Sequence, residues 1–319
     1  MIIFSDLHLC EKTADTVFNQ VLPGLKEAAL TDKDKTLLCL GDFYHIRYKV
    51  DVDIQNKVFE YFTDLYNSRI EVLLLPGNHD QINNAGGNAL RPFDEIGNVC
   101  VFSEFASIDL GTFIPYRRDK LKIASYLKDT CTFGNSPIFI HQGIQGFSMN
   151  GSIVDKDGLD KSVFGDSLVI CGHYHKRQTI GNICYVGSPY QIDAGEAGQD
   201  KGYCTFVDGV LSYVTTDWGI KYHNVGAISQ GGNIVVGKPG DIVRVKAPTG
   251  VDLAQFRKSL TVPDGVDCVV EPTLEDSRNR LGGDLSSLSE YAEAYVNKFS
   301  GTLDKGILLD TFRQIGNQA

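Results

Sequence analysis

Five short stretches collect nearly all the imidazoles of this chain: Asp6-Leu7-His8, Gly41-Asp42-Phe43-Tyr44-His45, Gly77-Asn78-His79-Asp80, His141, and Gly172-His173-Tyr174-His175. Six of the seven histidines lie in them, and His223 stands outside. Taken singly, each stretch has an ordinary explanation. Asp6 could cap a turn, Gly-Asn-His-Asp could itself be one, and a lone His141 reads as a satisfied core histidine. The His173/His175 pair is stronger, because alternate residues of an extended segment face the same side. Together the stretches offer carboxylates, imidazoles and one amide oxygen, without a cysteine. Mixed oxygen and nitrogen donors suit Mn, Fe or Zn, and the lack of thiolates argues against a structural zinc. The donors are too many for one ion. Two neighbouring cations need a carboxylate between them to screen their repulsion, and such a pair clamps a phosphoryl group and activates a water.

Each stretch ends or follows a short apolar run: "MIIFSD", "KTLLCLGD", "EVLLLPGN", "SPIFIH" and "DSLVICGH". Runs this apolar suit strands buried on both faces. Between the early ones, Val17, Val21, Leu25 and Ala28, and then Val58, Phe62 and Leu65, fall near helical spacing. That alternation predicts an α/β layered core, in which ligands bind outside the carboxyl ends of the strands. From about residue 183 the pattern changes to strands, with a hairpin whose turn is "DGV". Glycines from 231 to 240 punctuate a boundary, and 241–275 reads as strand, helix, strand. "RNRLGG" reads as a linker, and the tail carries two helix candidates, the first striped by Leu285, Leu288, Ala292, Tyr295 and Phe299.

Composition sets outer limits. The 319 residues are 42% hydrophobic, no run is long enough for a membrane span, and the net charge is −10. A surface basic all over is excluded, so a nucleic-acid partner needs a local positive patch or a second subunit. Met1 stands five residues before Asp6, which leaves no room for a signal peptide if this is the native start. None of the eight cysteines forms a C-x-x-C pair. All eight are expected to be reduced, in a cytoplasmic protein.

In order across residues 6 to 175, D-x-H, G-D, G-N-H-D, H and G-H-x-H resemble the five-part motif of the calcineurin-like metallophosphoesterases. The resemblance implies an α/β fold, a layered β-sandwich flanked by helices. It implies one metal on Asp6, His8, Asp42 and His175, and another on Asp42, Asn78, His141 and His173, with Asp42 as the bridge. A hydroxide held between the ions would attack phosphorus. His79 would not be a ligand but would face the substrate, stabilising charge in the transition state or protonating the leaving group. Asp80 would orient a neighbour or serve the fold.

His45, three residues after Asp42 in "GDFYH", is similar to the G-D-x-x-H of the DNA-repair nuclease branch, where protein Ser/Thr phosphatases show G-D-x-x-D-R. That makes His45 a second candidate catalytic residue. "YVGSPYQIDAGEAGQDKGY" (185–203) resembles a segment of the SbcD nuclease subunit, "GSPYQ" also resembles phage recombination endonuclease subunits, and "FIPYRRDK" echoes another segment of that family. The branch implies a DNA exonuclease and endonuclease using two divalent ions, with manganese favoured. It implies a catalytic domain over 1–222, a small α/β cap over 223–275, and a linker with C-terminal helices over 276–319. Those helices would dock on the coiled coil of an SbcC-like ABC-type ATPase. Basic residues gather near the motifs, with Arg47, Lys49, Arg117, Lys176 and Arg177 among them, and Arg117, Lys176 and Arg177 are candidate substrate contacts. Strong duplex binding on so acidic a body would need the ATPase or a homodimer. The rival expectations are a phosphomonoesterase or cyclic-nucleotide phosphodiesterase of the same fold, and a non-catalytic scaffold.

Overall fold

The computed structural model describes residues 1–45, 49–83, 87–130, 136–150 and 153–273. Both expected tail helices and the segment 276–319 lie outside the described residues. Contacts divide the chain into two units, Met1–Asn224 with Gly237–Ile242, and Val225–Val236 with the chain from Val243.

The first unit is built on two six-stranded sheets. One has the order β14-β13-β1-β2-β3-β4: β1 (Ile2–Phe4), β2 (Thr36–Cys39), β3 (Glu71–Leu74), β4 (Val99–Val101), β13 (Lys201–Val207) and β14 (Val210–Thr216). The other has the order β11-β12-β10-β7-β6-β5: β5 (Ala106–Ile108), β6 (Gly111–Ile114), β7 (Ile138–His141), β10 (Val169–Gly172), β11 (Gln178–Ile180) and β12 (Ile183–Tyr185). β8 (Ser148–Asn150) and β9 (Ile153–Val154) form a separate ribbon. The central strands of each sheet run parallel.

The apolar runs alternate between two cores, as the two-residue period of a strand requires. Ile3, Leu38, Leu40, Phe113, Phe139 and Ile170 fill the space between the sheets. Their neighbours Ile2, Phe4, Leu37, Cys39, Val72 and Leu74 face the opposite way, onto helices. The helix Val52–Asn67 docks there through Ile54, Val58, Phe62 and Leu65, and the Asp51 carboxylate caps it by accepting from the amides of Asp53 and Ile54. Pro23 sits in the first turn of the helix Leu22–Thr31 and cannot donate to the turn before it, and a π-helical stretch, Val17–Val21, precedes it. On the far side of the second sheet, Ile138, Ile140, Val169 and Cys171 pack with Ile123 and Leu127 of the helix Lys120–Thr130. The result is a β-sandwich flanked by helices. The expected hairpin joins β13 to β14 through Asp208 and Gly209, both with positive φ, at 50° and 80°.

The second unit carries the three-stranded sheet β15-β16-β17, made of β15 (Tyr222–Ala227), β16 (Ile242–Ala247) and β17 (Asp267–Pro272). Phe256, from the helix Leu253–Ser259, packs with Val243, Val245, Ala247 and Val266. Among the described residues no helix is long and apolar enough to cross a membrane.

Candidate metal centre

Five strands of the sandwich end on the polar stretches. β1 leads into Asp6 and His8, β2 into Asp42, β3 into Asn78 and His79, β7 finishes on His141, and β10 leads into His173 and His175. One sheet thus supplies two carboxylates, an amide and two imidazoles, and the other supplies three imidazoles. The loops reverse at once after the strands. Asp6, His8, Asp42 and His173 all take positive φ, at 56°, 47°, 51° and 101°, a strain of roughly 1–3 kcal/mol each. The loops also touch. A Cβ on Gly77 would stand 2.2 Å from Asp42 Oδ1 and 2.3 Å from its amide nitrogen. A Cβ on Gly41, at φ 101°, would stand 2.3 Å from His141 Nδ1. These two positions admit only glycine because other chain already fills the space.

The expected ligands converge into two groups. The donor atoms of Asp6, His8 and His175 all lie within 4.8 Å of one another, and so do those of Asp42, His141 and His173. His8 also lies within the same reach of His45 and His79. Asn78 Oδ1 joins the second group, 2.8 Å from His173 Nδ1 and 3.2 Å from His141 Nε2. Asp42 Oδ2 stands 3.7 Å from His8 Nε2 and 3.4 Å from His141 Nε2, so one oxygen reaches both groups. His141 donates from Nδ1 to the Leu40 carbonyl at 2.6 Å, and His175 donates from Nδ1 to Glu196 at 2.6 Å. Those bonds leave both Nε2 lone pairs facing inward. His175 Nε2 lies 3.0 Å from His8 Nε2. Nitrogen donors roughly 2.1 Å from a shared ion sit about 3.0–3.4 Å apart, and two inward lone pairs at that distance call for a proton or a cation. The residues therefore fit divalent metals. The charges say the same. Burial drives the Asp6 carboxyl up. Burial would raise Asp42 as well, but His141 and His8 hold it well below the carboxylate range. Burial lowers His141 while Asp42 draws it up, to about 9, and burial takes His173 down to about 3. Buried imidazoles and carboxylates here compete for protons that a cation would replace.

His79 and His45 lie beside this cluster with stacked rings, 5.4 Å between centroids and 17° between planes. His79 donates from Nδ1 to the His45 carbonyl at 2.6 Å, which leaves its Nε2 for another partner. His45 Nδ1 is 3.1 Å from His8 Nδ1. The buried Asp80 does not bond to His79. Its carboxylate accepts from the amides of Phe43 (3.2 Å), Tyr44 (2.9 Å) and Gly77 (2.9 Å), tying the loop of Asp42 to the loop of Asn78.

Of the three basic candidates, Lys176 is exposed and lines a hollow with His173 and His175. Arg117 differs from the expectation. It is buried, and its guanidinium donates to the carbonyls of Ser103 and Tyr116 and to Glu104. Arg177 also differs, because its guanidinium lies 4.0 Å over the ring of Tyr213. Arg47 lies outside the described residues. Two groups at the site were not anticipated as site residues: Glu196, behind His175, and Lys201, which pairs with it. Their signal lay in "GEAGQDKG", inside the 185–203 segment already likened to the nuclease subunit; Glu196 and Lys201 are buried there while Asp193, Gly195, Gly198 and Asp200 are exposed.

Against known proteins, the calcineurin-like phosphoesterase family profile matches residues 1–177. Among solved structures, the chain is similar to the nuclease MPE of Pseudomonas putida at 14% identity, covering 66% of this chain and 86% of that one, with a TM-score of 0.33. A likeness of that size does not bear on activity. No curated protein matches the chain.

Proposed function

Since the chain belongs to the calcineurin-like phosphoesterase family, and its members hydrolyse phosphoesters with a pair of metals, we propose that this protein is a two-metal DNA phosphodiesterase, the nuclease subunit of an SbcCD-like repair and recombination complex. The observation that carries the reading is the Asp42 carboxylate, one oxygen of which stands within 4 Å of an imidazole in each donor group. Asp6, His8, Asp42 and His175 would hold one ion, and Asp42, Asn78, His141 and His173 the other; the mixed donors suit Mn, Fe or Zn, and manganese is the choice that the nuclease-branch resemblance implies. Such ions, when bound, screen the phosphate charge and acidify a water enough for attack at neutral pH.

The protein's own groups do the rest. The His79 backbone amide donates to Asp42 Oδ1 at 2.7 Å and keeps the shared carboxylate from rotating. With its Nδ1 proton committed to the His45 carbonyl, the His79 ring offers Nε2 to the leaving oxygen and delivers a proton from that atom. His45 fixes His79 through its carbonyl and backs His8 through its ring. A cavity of about 350 Å³ opens beside it, lined by Leu9, Tyr44, Val50 and Ile54, with two lysines, Lys12 and Lys49, and two acids, Glu11 and Asp51, also in its wall. Apolar room beside a phosphate site favours a substrate larger than a small monoester, such as a nucleotide chain. Lys176 supplies a further cation at the other side of His175.

The test is direct. End-labelled duplex and single-stranded DNA are incubated with the protein and Mn, Mg or chelator. Metal-dependent release of nucleotides is expected, without phosphate release from an aryl monoester, and the reverse pattern overturns the nuclease reading. In the same proposal the chain beyond residue 284, which lies outside the described residues, binds an ABC-type ATPase. A chain truncated before about residue 284 that still captures that partner refutes the docking role.

A further inference from the structure

His175 is held differently from the other imidazoles of the centre. His141 is oriented by a neutral carbonyl. His175 is oriented by a carboxylate, and that carboxylate is itself held from behind. Glu196 Oε1 takes the Nδ1 proton at 2.6 Å, and Glu196 Oε2 accepts from Lys201 Nζ at 2.8 Å and from the amide of Ile192 at 2.9 Å. Lys201 spends its other two protons on the His175 carbonyl, at 2.9 Å, and on Ser188 Oγ, at 2.8 Å. Glu196 is 4% exposed and Lys201 1%. A buried ion pair is weak evidence for stability, because desolvation offsets its attraction. Its presence here needs a reason other than holding the fold.

The connectivity gives one. Lys201 is the first residue of β13, which pairs antiparallel with β1. β1 leads into Asp6 and His8, the two donors grouped with His175. The lysine thus anchors both the backbone and, through Glu196, the ring of His175 to the sheet that carries its fellow donors. We propose that Glu196 and Lys201 are positioning residues for the ion on Asp6, His8 and His175. They hold the His175 ring by its Nδ1 and raise its donor strength at Nε2, and among the described residues no carboxylate–lysine pair stands behind His141 or His173. The inference rests on the two-metal reading above.

Mn(II) is titrated calorimetrically into the metal-free full-length chain. The wild type is expected to take two ions. In Glu196→Ala one of the two affinities falls by roughly 10–100-fold and the other holds. Glu196→Gln, which keeps an acceptor oxygen, falls between. The double variant Glu196→Ala/Lys201→Met removes the buried charges together, so the fold is kept while the weak ion stays weak. Wild-type affinity for both ions in these variants, or equal loss of both, overturns the positioning role. A wild type that takes up fewer than two ions overturns the two-metal reading itself.

Discussion

Removing the Asp80 carboxylate tests how the centre is held together. Asp80 is fully buried, and three backbone amides from two loops converge on it. Alanine would orphan all three donors at about 1–3 kcal/mol each, so Asp80→Ala should cost about 3–9 kcal/mol, with water in the vacated space drawing the value toward the lower end. Asparagine can keep its single oxygen where Oδ2 receives Phe43 and Gly77, but its NH₂ then confronts the amide of Tyr44. One donor is lost, and Asp80→Asn should cost about 1–3 kcal/mol. The assay is urea unfolding of chelator-treated protein. It is followed by the single tryptophan, Trp218, which stacks on Tyr203 within the first unit. It is run at pH 8, above the value of about 7 to which burial and the Asp42 charge raise this carboxyl. The ordering wild type, Asn, Ala is the result expected. Equal losses in the two variants, or losses under about 0.5 kcal/mol, the range of ordinary surface substitutions, would show that the amides find other partners and that Asp80 does not tie the loops.

Three further outcomes follow from the same geometry. His79→Ala should leave Mn(II) uptake near normal and cut turnover by at least ~10², and metal loss in this variant would contradict a role at the leaving oxygen. Asp42→Asn should weaken both ions in calorimetry, because its Oδ2 reaches both donor groups, and loss of one ion alone would refute the bridge. The Glu196 carboxyl is raised by burial, but His175 and Lys201 override that and hold it down to about 2, below its ordinary 4.5. Its stabilising contribution is therefore complete above pH 4.5 and is lost as pH falls toward 2. Glu196→Gln should flatten that acid limb of a stability–pH curve, and an unchanged limb would refute the assignment.

The central strands were legible because they are buried on both faces. Runs such as Val72–Leu75 and Val169–Cys171 have almost no polar residue to blur them, and the groups that break each run are the site itself. What the residues could not disclose is pairing across the chain. Nothing in "FIPYRRDK" says that Arg117 turns inward to cap carbonyls, or that Arg177 leaves the site to lie on Tyr213 thirty-six residues later. The same holds for Glu196. Its neighbours are acidic and small, and its role depends on β13 returning beside β1, a contact between the two ends of the unit.

The strain at the ligands has a physical reason in those same strands. Past the end of β1 the chain does not leave its neighbour. Asp6 donates its amide to Gly41, His8 to Asp42, and Leu9 to Phe43, all at 2.9 Å. The two ligand loops therefore continue the backbone ladder of the sheet beyond the last regular residue. A chain that keeps such bonds while turning its side chains toward a point between two sheets must reverse within one residue, and left-handed φ at Asp6, His8 and Asp42 is that reversal. The ladder bonds, the Asp80 tie and the cores on both sides over-determine these conformations, so a few kcal/mol of local strain does not relax them. Donor atoms are thereby set close together before any ion arrives, and the free energy of metal binding is not consumed in gathering them.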